Sequence, residues 1–360
     1  MPYSPFRHID SVLLKHRPIQ LTFFLTRRCN LRCPFCFYLS GNKTTGGNMP
    51  ELSLAEIEKI SSSLGSLLWL AFSGGEIFLR EDIVRITEIF YEKNRPAIIL
   101  FPTNGLLTDV IREKIEAVLK FCGKSSIVVK LSLEGPEELH DSIRGKKGSF
   151  QKTMQTYRAL EDLLGAYPNF ELGINTVFSS ANQDHMDELI GFVNGLKGVK
   201  THTVSLIRGT VSDEGLKDID MEKYHKTISR MAANIRERVS NIYRFRGAGL
   251  KAAQDILQRR LIHETMTKKK RLTSCYAGRL NLVLTEAGDV YPCESFDMKM
   301  GNVRENSYDL LKISGTDKAR GILRSIRERG CFCTHECYLM TNILFNPLMY
   351  PALLKEYVQL

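Results

Sequence analysis

The sequence predicts an α/β architecture, with parallel strands joined by crossover helices, followed by a small cysteine-rich unit. Three observations predict it. Six apolar runs rich in β-branched residues alternate with amphipathic stretches between residues 20 and 207. Three cysteines fall within eight residues directly after the first of these runs. Beyond residue 273 the alternation stops, and five of the nine cysteines gather there.

The strand runs lie near 20–25, 68–72, 97–101, 127–133, 171–178 and 199–207. Helices are expected between them near 53–66, 81–93, 109–120, 150–164 and 183–196. The first of these opens on a capping-box spelling, Ser53-Leu-Ala-Glu56. Alternation of this kind means parallel strands with crossovers. Six units fit a doubly wound sheet or an incomplete barrel, and periodicity does not choose between them. Two more helices are expected near 221–239 and 249–263. A hairpin follows, with strands at 279–284 and 290–293 around a turn at Thr285-Glu-Ala-Gly-Asp289. The expected organisation is a strand–helix unit over 1–210, a basic helical bridge over 211–272, a cysteine-rich unit over 273–346 and a tail over 347–360. The tail is apolar but interrupted by Pro347 and Pro351, so it reads as a docking segment rather than an anchor.

Of the 360 residues, 43% are hydrophobic and 25% charged, the composition of an ordinary globular protein. No run reaches the roughly 18 apolar residues of a membrane span. The first ten residues carry Pro, Arg and His where a signal peptide needs an apolar stretch. A cytoplasmic location is therefore expected, and there cysteines argue for metal binding or catalysis before disulfides. The net charge of +10 is uneven. Residues 226–271 hold thirteen Lys or Arg against three acids, which leaves 37 of the 50 basic and 37 of the 40 acidic residues elsewhere. One segment carries the whole excess. It is either a solvated helix face or a contact surface for an anionic partner, including peripheral contact with a membrane.

The first cysteine group reads Thr26-Arg-Arg-Cys29-Asn-Leu-Arg-Cys33-Pro-Phe-Cys36. It follows a predicted strand at the edge where parallel α/β proteins form active sites. A [4Fe–4S] cluster usually takes four cysteines. Three thiolates with no fourth ligand nearby leave one iron open. Arg27, Arg28 and Arg32 are expected to favour the thiolate form. Inert buried cysteines, or a zinc site completed from elsewhere, are the competing readings.

Cys29-x3-Cys33-x-Phe35-Cys36 resembles the Cys-x3-Cys-x-aromatic-Cys signature of the radical S-adenosylmethionine (radical SAM) superfamily at every position. The resemblance implies a partial (β/α)6 barrel and a cluster on Cys29, Cys33 and Cys36 whose open iron is chelated by SAM. It implies reductive cleavage to a 5′-deoxyadenosyl radical that abstracts hydrogen from substrate, with an external donor such as flavodoxin or ferredoxin. Phe35 takes the aromatic position near the adenine. Ser73-Gly74-Gly75-Glu76, after the second strand, resembles the motif that binds the methionyl amine. Asn104, Ser132, Arg144 and Asn175 stand at or after later strand ends, where the family contacts SAM. Taken singly, each polar strand-end residue also reads as a turn hydrogen-bonder.

Cys275 and Cys293 flank the hairpin, and Cys331, Cys333 and Cys337 follow within seven residues. The spacing Cys275-x12-Gly288-x4-Cys293 resembles the opening of the SPASM or twitch extensions of radical SAM proteins. Five cysteines complete one four-ligand cluster and not two, so a twitch-type unit with a single auxiliary [4Fe–4S] cluster is expected. Cys275, Cys293, Cys333 and Cys337 are the first choice of ligands, with Cys331 as spare. Structural zinc competes here, because His335 lies among the thiols. Cys122, set apart, is expected in the core.

The expected function is a radical SAM oxidoreductase that modifies a peptide or protein. Dehydrogenation or carbon–carbon chemistry on a small anionic or lipid-linked molecule is the alternative. A zinc-stabilised nucleic-acid-binding protein is the reading from a different class. Only about 19 residues precede the first strand, which tells against a peptide-recognition domain and weakens the peptide reading. The basic segment, through Arg259, Arg260, Lys268, Lys269 and Lys270, favours a negatively charged substrate or membrane surface.

Overall fold

A computed structural model describes residues 5–41, 49–328 and 331–360. Residues 1–4, the start of the stretch read against a signal peptide, lie outside them.

Six parallel strands form in the expected places: β1 Gln20–Phe24, β2 Trp69–Ser73, β3 Ile98–Thr103, β4 Ser126–Ser132, β5 Phe170–Phe178 and β6 Val199–Leu206. Helices Leu54–Ser63, Ile83–Asn94, Thr108–Phe121, Ser149–Glu161 and Met186–Gly195 occupy the connections. The capping box at Ser53 and Glu56 is formed in both directions. Strand order runs β6-β5-β4-β3-β2-β1 without reversal. A doubly wound sheet needs a reversal. Right-handed crossovers that always step the same way put every helix on one face, and the twisting sheet curls away from them into a partial barrel. This settles the choice that periodicity left open.

Side-chain alternation along each strand then divides the sheet into two faces. Leu21, Phe23, Leu70, Phe72, Ile99, Phe101, Val129 and Leu131 pack outward against Ile57, Ile86, Phe90 and Ile115 of the helices. The alternate residues, among them Thr22, Ala71, Pro102, Lys130, Ser132, Asn175 and Thr203, face the barrel interior and line its cavity.

The expected hairpin is present as β7 Asn281–Leu284 and β8 Asp289–Tyr291, paired antiparallel. It does not stand apart from the barrel. β7 pairs parallel with β1, Gln20 opposite Asn281 through Phe23 opposite Leu284, and β9 Gly301–Asn302 extends the same sheet. An open barrel leaves the outer edge of β1 with unpaired backbone groups, and β7 covers that edge.

Two further contacts join the chain's ends to the barrel. Arg304, just after β9, donates to Glu56 from Nε at 2.7 Å and from Nη2 at 3.2 Å. The terminal helix Tyr350–Val358 packs along the helix Ala248–Lys268, with Leu353 among Leu257, Leu261 and Ile343. Its buried Glu356 takes Arg236 at 2.6 Å and also Arg260. Among the described residues, no helix is long and apolar enough to cross a membrane.

Candidate active site

The thiols of Cys29, Cys33 and Cys36 stand on the loop after β1, and all three line one cavity of about 340 Å³ inside the barrel. The loop is seated by backbone bonds. Gly75 N donates to Thr26 O at 2.8 Å and Glu76 N to Arg28 O at 2.9 Å. Glycine is required at both places. Gly74 has φ +131°, and a Cβ on Gly75 would meet Arg28 O at 2.1 Å. The Gly-Gly pair therefore admits the backbone of the cysteine loop itself, a closer reason than the approach of a ligand.

The neighbouring arginines do not do what the sequence led us to expect. Arg32 donates to the Cys29 and Leu31 carbonyls, Arg28 to Glu51, and Arg27 lies over the Tyr38 ring. The cation at the thiols is Arg144, whose Nη1 stands 3.6 Å from Cys33 Sγ. Burial pushes the Cys29 and Cys33 thiols up, and Arg144 opposes this at Cys33. Arg144 also packs over the Phe35 ring, 5.2 Å from its centroid. It is paired with Glu134, a fully buried carboxylate that also accepts from Val177 N at 2.7 Å. Glu134 was not singled out from sequence as a partner of Arg144. The spacing Glu134-x9-Arg144 carries no helical or strand period that would have paired them.

Glu76 is buried, with both oxygens engaged by donors from the next strand end. Asn104 N donates at 2.9 Å, Thr103 Oγ1 at 2.9 Å and Phe78 N at 3.2 Å. It fastens the end of β3 to the end of β2. Asn104 closes an Asx turn onto Leu106 N at 3.0 Å and donates to Asn30 of the cysteine loop at 2.7 Å. Ser132 and Asn175 are paired in register across β4 and β5. Glu76, Asn104, Ser132, Arg144 and Asn175 all line the cavity with Phe35, Gly74 and Gly75.

Of the C-terminal cysteines, Cys275, Cys293 and Cys337 pack against one aromatic cluster with Phe24, Tyr38, Tyr291 and Tyr338, while Cys331 and Cys333 are exposed. Burial, then Cys293 and Cys331, push the Cys275 thiol up to about 11. Cys293 is raised by burial and by Cys331, and Cys333 feels both Cys275 and Cys293. Burial, then Glu294, push the Cys337 thiol up, and Cys337 also lines the barrel cavity. The structure thus places Cys275, Cys293 and Cys337, three of the four first-choice ligands, around one aromatic cluster, with Cys337 also on the cavity wall. His335, the basis of the zinc reading, has its ring beside Glu294, 3.7 Å from Nδ1 to Oε2, and against Tyr338. Cys122 is buried in the core as expected.

The donor set bears on which group fits. Among the described residues, no three His, Cys, Asp or Glu side chains converge to hold a single metal ion. A four-iron cluster spreads its thiolates around a cube and needs no such convergence. Three thiols beside a cavity that is polar on its strand-end side are the donors such a cluster and a SAM molecule would require.

The charged wall of the cavity was not read from sequence. Arg208, after β6, is paired with Glu294 at 2.7 Å and Glu336 at 3.2 Å. Lys251 is paired with Asp255. Of the five basic residues expected to meet an anion, only Arg259 reaches the cavity. Arg260 is bound to Glu356 and Lys268 to Glu264, while Lys269 and Lys270 are exposed at the helix end. One signal was available in the strands. Lys130 and Ser132, and Thr203 and Ser205, put polar residues at period two into otherwise apolar runs.

Comparison with known proteins agrees with this geometry. Residues 23–193 match the model of the radical SAM superfamily, and residues 275–338 match the SPASM iron–sulfur cluster-binding domain. The antilisterial bacteriocin subtilosin biosynthesis protein AlbA of Bacillus subtilis (strain 168) is 27% identical over 301 residues, covering 81% of this chain and 59% of that protein. The AdoMet-dependent heme synthase of Methanosarcina barkeri (strain Fusaro / DSM 804) is 26% identical over 308 residues, 82% of each chain. The crystal structure of Streptococcus suis SuiB bound to precursor peptide SuiA shares the fold, with TM-score 0.60 at 16% identity, over 89% of this chain and 70% of that one. The chain thus spans about three-fifths of the length of AlbA.

Proposed function

We propose that this chain, which belongs to the radical SAM superfamily and carries a SPASM iron–sulfur domain, uses SAM-derived radical chemistry to modify a peptide. The observation that carries the reading is the cavity itself. It joins the Cys29, Cys33 and Cys36 thiols to a polar wall at the strand ends and extends to a charged far wall with room for a substrate group. When bound, the cluster and SAM supply a 5′-deoxyadenosyl radical that abstracts hydrogen. The chain's own residues do the rest. Cys29, Cys33 and Cys36 hold the cluster, with Arg144 neutralising charge at Cys33. Phe35, Gly74, Gly75, Glu76, Asn104, Ser132, Arg144 and Asn175 form the SAM side of the cavity. Cys275, Cys293, Cys333 and Cys337 hold a single auxiliary cluster of the twitch kind, with Cys331 as spare, and electrons arrive from a flavodoxin or ferredoxin.

The peptide reading is supported by relatives named for bacteriocin biosynthesis and for maturation of a sporulation killing factor. A small anionic molecule is the second reading, favoured by the heme synthase, which matches over 82% of both chains.

Two experiments test the reading. Replacing Cys29, Cys33 and Cys36 together by Ala should leave about half the iron and abolish 5′-deoxyadenosine formation. Continued SAM cleavage would sink the assignment. Incubated anaerobically with SAM, reductant and peptides encoded beside its gene, the loaded chain should change a peptide's mass in step with 5′-deoxyadenosine. Stimulation by a small-molecule fraction and by no peptide would overturn the peptide reading in favour of the second.

A further inference from the structure

Besides Arg144, four cations line the cavity, and two of them lack a carboxylate. Arg208 and Lys251 are matched by Glu294, Glu336 and Asp255. Lys130 and Arg259 have no carboxylate oxygen within 4.0 Å among the described residues. Lys130 rises from β4 and donates to Thr203 Oγ1 on β6. Arg259 turns inward from the helix Ala248–Lys268 and is only 9% exposed. Its Nη2 donates to His202 O at 2.9 Å, while its Nη1 is buried with no hydrogen-bond partner.

Such an arrangement is costly. Buried charges are ordinarily paired, and a guanidinium nitrogen without an acceptor forfeits a charge-assisted bond. Burial works to deprotonate Lys130 and Arg259 adds to it, while the more distant Asp255 and Glu336 oppose it without reaching ion-pair distance. A barrel that keeps two like charges side by side in a cavity is built for a counter-charge that arrives with a ligand. Lys130 lies two residues before Ser132 on the same face of β4. That sets it about 7 Å deeper along the strand than the SAM side of the cavity, too far to serve the same carboxylate as Ser132.

Resting on the reading above, and deepening it, we propose that Lys130 and Arg259 form a carboxylate-binding subsite, so that the substrate enters the barrel with an acidic side chain. The guanidinium and the ammonium, held on the adjacent residues His202 and Thr203, supply charged donors of the kind that suit a carboxylate. Asp255, held by Lys251, favours the charged form of Lys130 from a distance and would repel a carboxylate placed off the subsite.

The test reads binding and not turnover, so it stands apart from the radical reading. The full chain, loaded anaerobically with its clusters and saturated with SAM, is titrated calorimetrically with N-acetylglutamate N-methylamide, its glutamine counterpart and inorganic phosphate. The glutamate compound should bind about tenfold or more tighter than the glutamine compound. Lys130→Met combined with Arg259→Gln should erase that preference, and Lys130→Arg with Arg259→Lys should restore most of it, which guards against a merely misfolded variant. No preference in the parent chain, or a preference that survives in the double variant, overturns the proposal. Competition between SAM and the glutamate compound would assign the subsite to the methionyl carboxylate and overturn it too. So would tighter binding of phosphate, which would make the ligand a phosphoryl group. A chain that shows the preference yet modifies no peptide keeps this inference and refutes the peptide reading.

Discussion

Changing Gly75 to Ala should empty the catalytic cluster site without unfolding the barrel. The added Cβ would lie 2.1 Å from Arg28 O, 2.7 Å from Arg28 C and 3.1 Å from Cys29 Cβ. Two of these three are backbone atoms, so no rotamer change relieves the clash. Real Cβ contacts essentially never fall below 3.0 Å, so the Arg28 carbonyl must recede by about 0.9 Å at the least. That movement passes directly to Cys29, the next residue, and breaks the Glu76 N to Arg28 O bond of 2.9 Å. Overpacking of this size costs about 1–3 kcal/mol, tolerable for a fold with this many buried strands, whereas cluster ligation needs its thiolates in place. The assay is iron and sulfide content after anaerobic reconstitution, with 5′-deoxyadenosine as the second readout. Gly123→Ala, which meets nothing within 4 Å, is the control. We expect Gly75→Ala to lose the iron of one cluster and all SAM cleavage while Gly123→Ala keeps both. Full iron and parental cleavage in Gly75→Ala would refute the claim that the glycine seats the cysteine loop.

Three other outcomes follow from the same structure. The Arg304 bond, with help from Ser53, holds the Glu56 carboxyl at about 2 against 4.5 in the unfolded chain. The stability this gives is present above pH 4.5 and lost as the pH falls toward 2. Glu56→Gln should cost about 2–3 kcal/mol at pH 7, with about half of that gap gone by pH 3; a gap that does not narrow in denaturation curves at pH 7 and pH 3 would contradict it. Arg144→Met strands the fully buried Glu134 with only the Val177 amide, so it should cost about 3–5 kcal/mol, and adding Glu134→Gln should recover part of the loss. A cost under about 1 kcal/mol in urea unfolding would show that the pair is not needed. Cys337→Ala should lose the auxiliary cluster's iron while Cys331→Ala keeps it, and equal iron loss in the two variants would bring Cys331 into the ligand set.

Much of the candidate site is legible in the chain because it is local. Cys29, Cys33 and Cys36 sit within eight residues, after a strand visible from its apolar run. The chemistry of three thiolates follows from their spacing. Ser53 and Glu56 announce their helix in the same way, through bonds that span one turn. The hairpin around Gly288 is equally local, since its Cβ position is blocked by Val303 and its φ is +88°.

What stayed hidden is non-local. Whether six strand–helix units make a barrel depends on strand order, and order is decided by which edges find each other, not by periodicity along any one segment. β7 belongs to the barrel sheet because the edge of β1, some 260 residues earlier in the chain, is left open there. The same holds for charge. Arg27, Arg28 and Arg32 are the thiols' neighbours in sequence, yet their side chains reach carbonyls, Glu51 and a tyrosine ring, and the cation that meets Cys33 comes from Arg144. The basic segment was visible as an excess of thirteen cations over three acids. Only the packing of the helix Ala248–Lys268 shows that Arg259 turns inward to join Lys130 while Arg260, its neighbour, turns out to Glu356. Adjacent helical residues point about 100° apart, so composition by itself marks a segment as basic, and the tertiary fold decides which of its charges meet a ligand.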